Sequence, residues 1–367
     1  MNTRRENRPR RWNPRKSMGV YYNGSALVET AGGAGIMEDV VIVGGGPAGI
    51  LLAHQFREHG IPHKVLERGK VGQSWRDMRP GMVLLSPGVP GTDWTSLTLQ
   101  RPIWAFPGVR RPFPTREDFL CYVDAFARDQ HVEVTERTEV TGARPTPEGF
   151  TVTVAGGDEI HCRFLVIATG SNSKPHYPEV PGVAGNPFVF HSGDFLNCMA
   201  YDGKRVLVIG GGNSAAELCI QLAGTALTTM CTRNPLRYFS DSAELDDIRG
   251  SSESVLKELF RFRILSLREA DPVVSLSGGT AAFASGEREA FDWIVCATGY
   301  RPRWIPIGGG TVDTGEKGYP RISPVGESSV PGLYFCGSLA MFHRRCAFIH
   351  GFRNYVEKVF WDIADRL

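Results

Sequence analysis

Two glycine runs carry the first chemical information in this chain. The run GGGPAG at 44–49 sets Gly44, Gly46 and Gly49 in the pattern G-x-G-x-x-G, with Pro47 and Ala48 between them. The run GGGNSA at 210–215 sets Gly210, Gly212 and Ala215 in the pattern G-x-G-x-x-A. Both spacings suit a dinucleotide pyrophosphate. The first glycine permits a tight turn, the second lets the backbone approach the phosphates, and the third small residue lets helix and strand pack closely. The free N–H groups of the following helix then face the anion. Asn213 or Ser214 is expected to cap the second of these helices.

The two runs lead to residues of opposite charge. Glu67 lies 23 residues after Gly44, and Arg233 lies 23 residues after Gly210. An acid at this place accepts hydrogen bonds from a free ribose 2′-hydroxyl, whereas an arginine accommodates a 2′-phosphate. The first site therefore suits FAD and the second NADPH. Charge-assisted bonds are worth about 1.5–3 kcal/mol each, so Arg233 alone favours NADPH over NADH by roughly 10- to 100-fold. Thr232 adds a hydroxyl donor, and Arg237 is within reach of the same phosphate. Two such cofactors imply hydride transfer from nicotinamide to flavin.

The elements that position these residues are legible nearby. Residues 40–43 are a continuous apolar run, as in a strand buried on both faces. Residues 48–59 have helical apolar spacing, Gly60 is a C-terminal cap, and a short strand ends on Glu67. The pattern repeats with a strand over 206–209, a helix, and the strand LTTMCTR at 227–233. The expected architecture is α/β, with two Rossmann-like dinucleotide-binding domains, parallel sheets and right-handed crossovers.

Composition bounds the remaining classes. The chain has 367 residues, 42% of them hydrophobic, and a formal net charge of +2, so no overall field points to nucleic acid or a membrane. No apolar run reaches the roughly 18 residues of a transmembrane helix. The eight cysteines show no CxxC spacing and no accompanying histidine cluster, so neither a bound metal nor a vicinal dithiol is expected, and a cytoplasmic setting is. The first 19 residues hold seven Lys/Arg against one Glu, without the apolar stretch of a signal peptide. Residues 1–37 read as a basic, disordered tail or an over-extended start.

With these motifs in place, the chain resembles the two-dinucleotide-binding-domain flavoproteins, and within them the flavin-containing monooxygenases and their bacterial relatives. GQSWRDM, with Gln73 and Trp75, resembles the G-x-W-R segment that runs beside the flavin in that family. FLVIATGSNSKP, with Gly170, and DWIVCATGYRPR, with Gly299, resemble the paired ATG strands at the two crossings between domains. PGLYFCGSLA, with Gly337, resembles the last FAD strand, and FIHGFRNYVEKVF the closing helix. VAGNPFVFHSGDF resembles the monooxygenase fingerprint imperfectly, and makes His191 the candidate catalytic residue, with a role in positioning NADP. The resemblance implies an FAD-binding domain in two parts, 38–180 and 301–367, with an NADPH-binding domain, 181–300, inserted between them.

The implied activity is an NADPH-dependent, FAD-containing monooxygenase that oxygenates a nitrogen, sulfur or carbon centre of a small molecule through a C4a-hydroperoxyflavin. The implied partners are that substrate and molecular oxygen, with no nucleic acid or membrane. A thioredoxin-reductase-like reductase without a CxxC, or a flavin oxidase, remains open as the alternative. Relatives that reduce bacillithiol disulfide carry a cysteine where this chain has Ala48. Loops 83–110 and 238–262 are expected to shape the substrate pocket.

Overall fold

The computed structural model describes residues 26–30, 33–172, 174–309, 311–341 and 344–367, so the basic segment 1–25 lies outside the described residues. The first sheet is built on the strand Gly33–Val43. His63–Leu66 pairs with it in parallel on one side and Glu159–Ile167 on the other. Leu333–Phe335 adds a fourth parallel strand beside Glu159–Ile167. Val40 and Ile42 enter one hydrophobic cluster, with helices Pro47–Glu58, Arg116–Asp129 and Ile349–Arg366. Val41 and Val43 enter another on the opposite face. Burial on both faces is why this strand is apolar over 40–43 rather than at alternate positions.

The first sheet is not wholly parallel, contrary to the expectation. Val140–Thr146, Gly149–Val154 and Glu159–Ile167 form an antiparallel meander. TPEG and AGGD supply the turns between short strands rich in valine, threonine and isoleucine. The expected tail is also corrected in part. The backbone of Ala26–Thr30 pairs antiparallel with Gly33–Met37, so the last part of 1–37 extends the sheet.

The second sheet has five parallel strands in the order Val189–His191, Trp293–Cys296, Arg205–Ile209, Leu227–Cys231 and Ser266–Arg268. Helices Asn213–Leu222 and Ser251–Arg261 bury apolar side chains in one cluster with it. An antiparallel three-stranded ribbon, Val273–Ser277, Thr280–Phe283 and Arg288–Ala290, lies in the connection before Trp293. The segment 238–262 is not the loop that was expected. It holds helices Phe239–Ser242 and Ser251–Arg261, the latter anchored by fully buried Leu256. The chain passes between the sheets twice, and the two passages lie side by side: Lys174–Pro175 pairs antiparallel with Tyr300–Arg301. Among the described residues no helix is long and apolar enough to cross a membrane.

Candidate functional site: two glycine cradles and the surface between them

The first cradle forms where Gly33–Val43 turns into helix Pro47–Glu58. Gly44 has φ 115°, and a Cβ there would stand 2.7 Å from the Ala168 carbonyl oxygen. A Cβ on Gly49 would stand 2.0 Å from the Gly44 carbonyl oxygen, so the helix start is jammed against the turn. Gly46 is the opposite case. A Cβ there meets nothing within 4 Å, and no side chain caps the helix that begins after it. The open space lies in front of helix N–H groups that have no partner in their own helix.

Glu67 is only 7% exposed, and its carboxylate organises this turn. Oε2 accepts from Gly45 N at 2.7 Å and Oε1 from Gly69 N at 2.9 Å. A carboxylate has about four lone-pair sites, so both oxygens can still accept from a ribose hydroxyl. Gly170 and Gly337 complete the surround with φ of 77° and 71°, and a Cβ on Gly337 would press on Ala48. The Thr169 hydroxyl is buried there with no partner among the described residues. An open, uncapped helix start beside an orphaned hydroxyl fits a polar, anionic ligand of pyrophosphate type.

The second cradle repeats the geometry. Gly210 has φ 149°, with a Cβ position 2.3 Å from the Ala297 carbonyl oxygen, and Gly212 faces open space. Ala215 is fully buried behind them. Neither Asn213 nor Ser214 caps the helix as expected: Gly212 is the capping residue and makes no side-chain bond. Asn213 instead pins a neighbouring loop, donating to Asp247 O at 3.0 Å and accepting from Arg249 N at 3.2 Å, while Ser214 is exposed.

At the end of Leu227–Cys231, Thr232 is 2% exposed and its hydroxyl accepts from Ala270 N at 3.3 Å. Arg233 is exposed, and among the described residues no carboxylate pairs with it. Arg237 is not available in the same way, because it pairs with Asp247 at 3.3 Å.

Three other candidates are engaged in local structure. His191 is fully buried between Tyr177 and Tyr300. Its Nδ1 accepts from Gly193 N at 3.1 Å, so the proton sits on Nε2 and is donated to Gly299 O at 2.9 Å. Burial lowers its pKa, although the Gly299 bond opposes that. The neutral ring therefore braces the crossing at Gly299. Gln73 accepts from Lys70 N at 3.0 Å and donates to Asp77 at 2.8 Å. Trp75 packs against Phe119 with ring centres 4.3 Å apart.

Sequence reasoning did not single out the residues where the two sheet units meet. Arg79, from the first unit, pairs with Glu217 on helix Asn213–Leu222. Arg249, from the second unit, reaches Ser86 Oγ at 3.3 Å. Neither arginine stands in a readable motif, since the contacts join residues 138 and 163 positions apart. A pocket of about 180 Å³ opens beside these contacts, lined by Leu84, Leu85 and Phe113 on one side and Ile220, Ser252 and Val255 on the other.

Known proteins share this sequence pattern and this fold. The family model described as pyridine nucleotide-disulphide oxidoreductase matches residues 41–337. The indole-3-pyruvate monooxygenase YUCCA4 of Oryza sativa subsp. japonica is 33% identical over 255 residues, 64% of this chain but only 55% of that relative. Among solved structures, a flavin-containing monooxygenase from Stenotrophomonas maltophilia is 23% identical with TM-score 0.78, covering 90% of this chain and 99% of that one. The bacillithiol disulfide reductase Bdr from Staphylococcus aureus is 22% identical with TM-score 0.76, over the same shares of the two chains.

Proposed function

This chain belongs to the pyridine nucleotide-disulphide oxidoreductase family, and from that premise we propose an NADPH-dependent, FAD-containing monooxygenase that oxygenates a small molecule at nitrogen, sulfur or carbon. It is an oxidoreductase that uses FAD and NADPH. We assign FAD to residues 38–180 and 301–367, and NADPH to an inserted unit, 181–300. The support is the charge at equivalent places: Glu67 beside the first cradle and unpaired Arg233 beside the second.

The observation that carries oxygenation over disulfide reduction is the state of the thiols. Six of the eight cysteines are buried. Burial pushes the Cys162, Cys296 and Cys336 thiols up to about 12. Thiol–disulfide exchange needs thiolate, and these thiols do not supply it at neutral pH. Ala48 also stands where a disulfide-reducing relative would carry its cysteine. The YUCCA4 match adds a monooxygenase as a sequence relative, spanning about half that protein.

FAD, when bound, supplies the hydride acceptor and the centre that reacts with oxygen. The chain's own residues bind and orient. Gly46 and Gly212 admit the pyrophosphates, Glu67 accepts from the FAD ribose, and Arg233 selects the 2′-phosphate. Leu84, Leu85 and Phe113 contribute apolar surface to the pocket between the units. No protein nucleophile is required, and the neutral, doubly bonded His191 is a positioning residue rather than a proton carrier.

The test is to reduce the FAD-loaded protein anaerobically with NADPH, mix it with ¹⁸O-labelled oxygen and candidate amines, thioethers and ketones, and weigh label in product against peroxide released. Label in product is the expected result. Peroxide equal to the NADPH consumed, whatever the substrate, means a flavin oxidase; fast electron transfer to a disulfide means a reductase. Either outcome overturns the proposal.

A further inference from the structure

Arg301 has a ring nitrogen for a partner where a cation usually has a carboxylate. It stands at the second passage between the sheet units, opposite Lys174 in the antiparallel pair, and it is exposed. Its Nη2 donates to Nε2 of His176 at 3.2 Å. A guanidinium only donates, so His176 Nε2 carries no proton and the ring is neutral. Among the described residues no carboxylate lies within ion-pair distance of Arg301. Burial lowers the His176 pKa, and the charges of Arg301 and Arg233 lower it further, against Glu179. Arg233 is thus felt at the same ring as Arg301, although the two come from opposite sides of the second cradle.

The sheet order sets those sides. Trp293–Cys296, Arg205–Ile209 and Leu227–Cys231 are neighbours in that order, and the cradle follows the middle strand. Arg233 follows the strand on one side, and Ala297 to Arg301 follow the strand on the other. This second side touches the cradle directly. Ala297 N donates to Ile209 O at 2.8 Å, and the Ala297 carbonyl oxygen is the atom that a Cβ on Gly210 would strike. Thr298 donates its hydroxyl to His176 O, and His176 N donates to Gly299 O at 2.9 Å. His176 and the guanidinium resting on it are therefore tied to the rim of the cradle. The rim is open as well, since a Cβ added at Gly212 or at Gly299 meets nothing within 4 Å. A dinucleotide lies across the carboxyl ends of such strands. With its 2′-phosphate at Arg233 and its pyrophosphate before Gly212, its nicotinamide half extends over Gly299. The phosphate of that half is then the one nearest Arg301.

We propose that Arg301 binds the phosphate of the nicotinamide half of the coenzyme, and that His176 is a positioning residue that holds the guanidinium at the rim; this rests on reading the second cradle as the NADPH site. The two unpaired arginines then divide the work. Arg233 meets the phosphate that distinguishes NADPH from NADH, and Arg301 meets a phosphate that both coenzymes carry.

The experiment is calorimetric titration of the oxidised, FAD-loaded protein with NADP⁺ and with 2′,5′-ADP, which keeps the adenosine-side phosphates and lacks the nicotinamide half. Arg301→Ala should weaken NADP⁺ about 10-fold, the lower end of a charge-assisted bond, and 2′,5′-ADP by less than about twofold. Arg233→Ala should weaken both ligands alike. Arg301→Lys should recover most of the lost NADP⁺ affinity, because an ammonium still binds phosphate as a point charge. His176→Ala should weaken NADP⁺ by a smaller factor than Arg301→Ala, and should add nothing when combined with it, as expected of a residue that acts through another. NADP⁺ affinity unchanged in Arg301→Ala, while the native protein binds both ligands and Arg233→Ala weakens them, overturns the proposal alone. An equal loss of 2′,5′-ADP affinity in Arg301→Ala also overturns it, by placing Arg301 with Arg233 at the adenosine end. Native protein that binds neither ligand removes the NADPH reading of the cradle, and the proposal with it.

Discussion

Arg79 and Glu217 form an ion pair that joins the loop after Trp75 to the helix behind the second glycine cradle, with side chains only 9% and 16% exposed. It is a direct polar tie between the two sheet units. Burial pulls the Arg79 pKa below its ordinary value, so the carboxylate must offset a real desolvation cost.

Removing one partner should therefore be worse than removing both. Glu217→Gln leaves a buried guanidinium without its counter-charge and is expected to destabilise the protein by about 3 kcal/mol. An Arg79→Met, Glu217→Met double variant should recover most of that loss. Urea unfolding of the three proteins checks this. A Glu217→Gln change below about 0.5 kcal/mol, the scale of an exposed pair, would show that the contact is a solvated one.

The role proposed for Arg233 is the choice of coenzyme. It is exposed and has no carboxylate partner among the described residues, so Arg233→Ala should cost little stability. The KM for NADPH should rise roughly 10- to 100-fold, from loss of a charge-assisted bond, while the KM for NADH moves little. Equal changes for both coenzymes would refute the assignment.

Two glycines in the same turn should fail in different ways. Gly46 has an extended backbone, φ −81° and ψ 179°, that any residue adopts, and open space where its Cβ would be. Gly46→Ala should fold with nearly native stability yet release FAD on gel filtration. Gly49→Ala places a Cβ 2.0 Å from the Gly44 carbonyl oxygen and should not give soluble, folded protein. FAD retained by Gly46→Ala would remove the first cradle from the binding site.

His191 links stability to pH. Its folded-state pKa is lowered by burial, so the unfolded chain binds its proton more readily. The stability it permits is complete above the unfolded value of about 6.5 and declines as pH falls below that. Urea midpoints at pH 7.5 and 5.5 should therefore differ, and His191→Gln should shrink the difference without abolishing it, since His54 and His63 are lowered by burial too. A kcat profile in which His191→Gln deletes a limb would contradict the positioning role.

Both cradles were legible in the sequence because their demands are local. A turn at positive φ, a helix start that a phosphate can approach, and a charge 23 residues on are specified by residue type and spacing alone. Gly60 was legible for the same reason; at φ 67° it follows the helix that ends at His59. The antiparallel meander escaped notice although its turns stand in plain residue types, because the glycine motifs draw the whole sheet into a parallel reading. The helix Ser251–Arg261 escaped because its segment carries no motif, and its apolar spacing is the only sign of it.

What the sequence determined by itself is two glycine turns, each followed 23 residues on by a charge of opposite sign, and the family they imply. What only the tertiary structure decided is which polar side chains remain free to act. Asn213, Arg237, Gln73 and His191 have residue types that suit ligand contact, and all four are bonded to the protein itself. Arg79 and Arg249 carry no sequence signal and stand buried between the units, because their importance comes from partners 138 and 163 residues away. Spacing along the chain encodes a turn, whereas the desolvation of a charge depends on everything that folds around it.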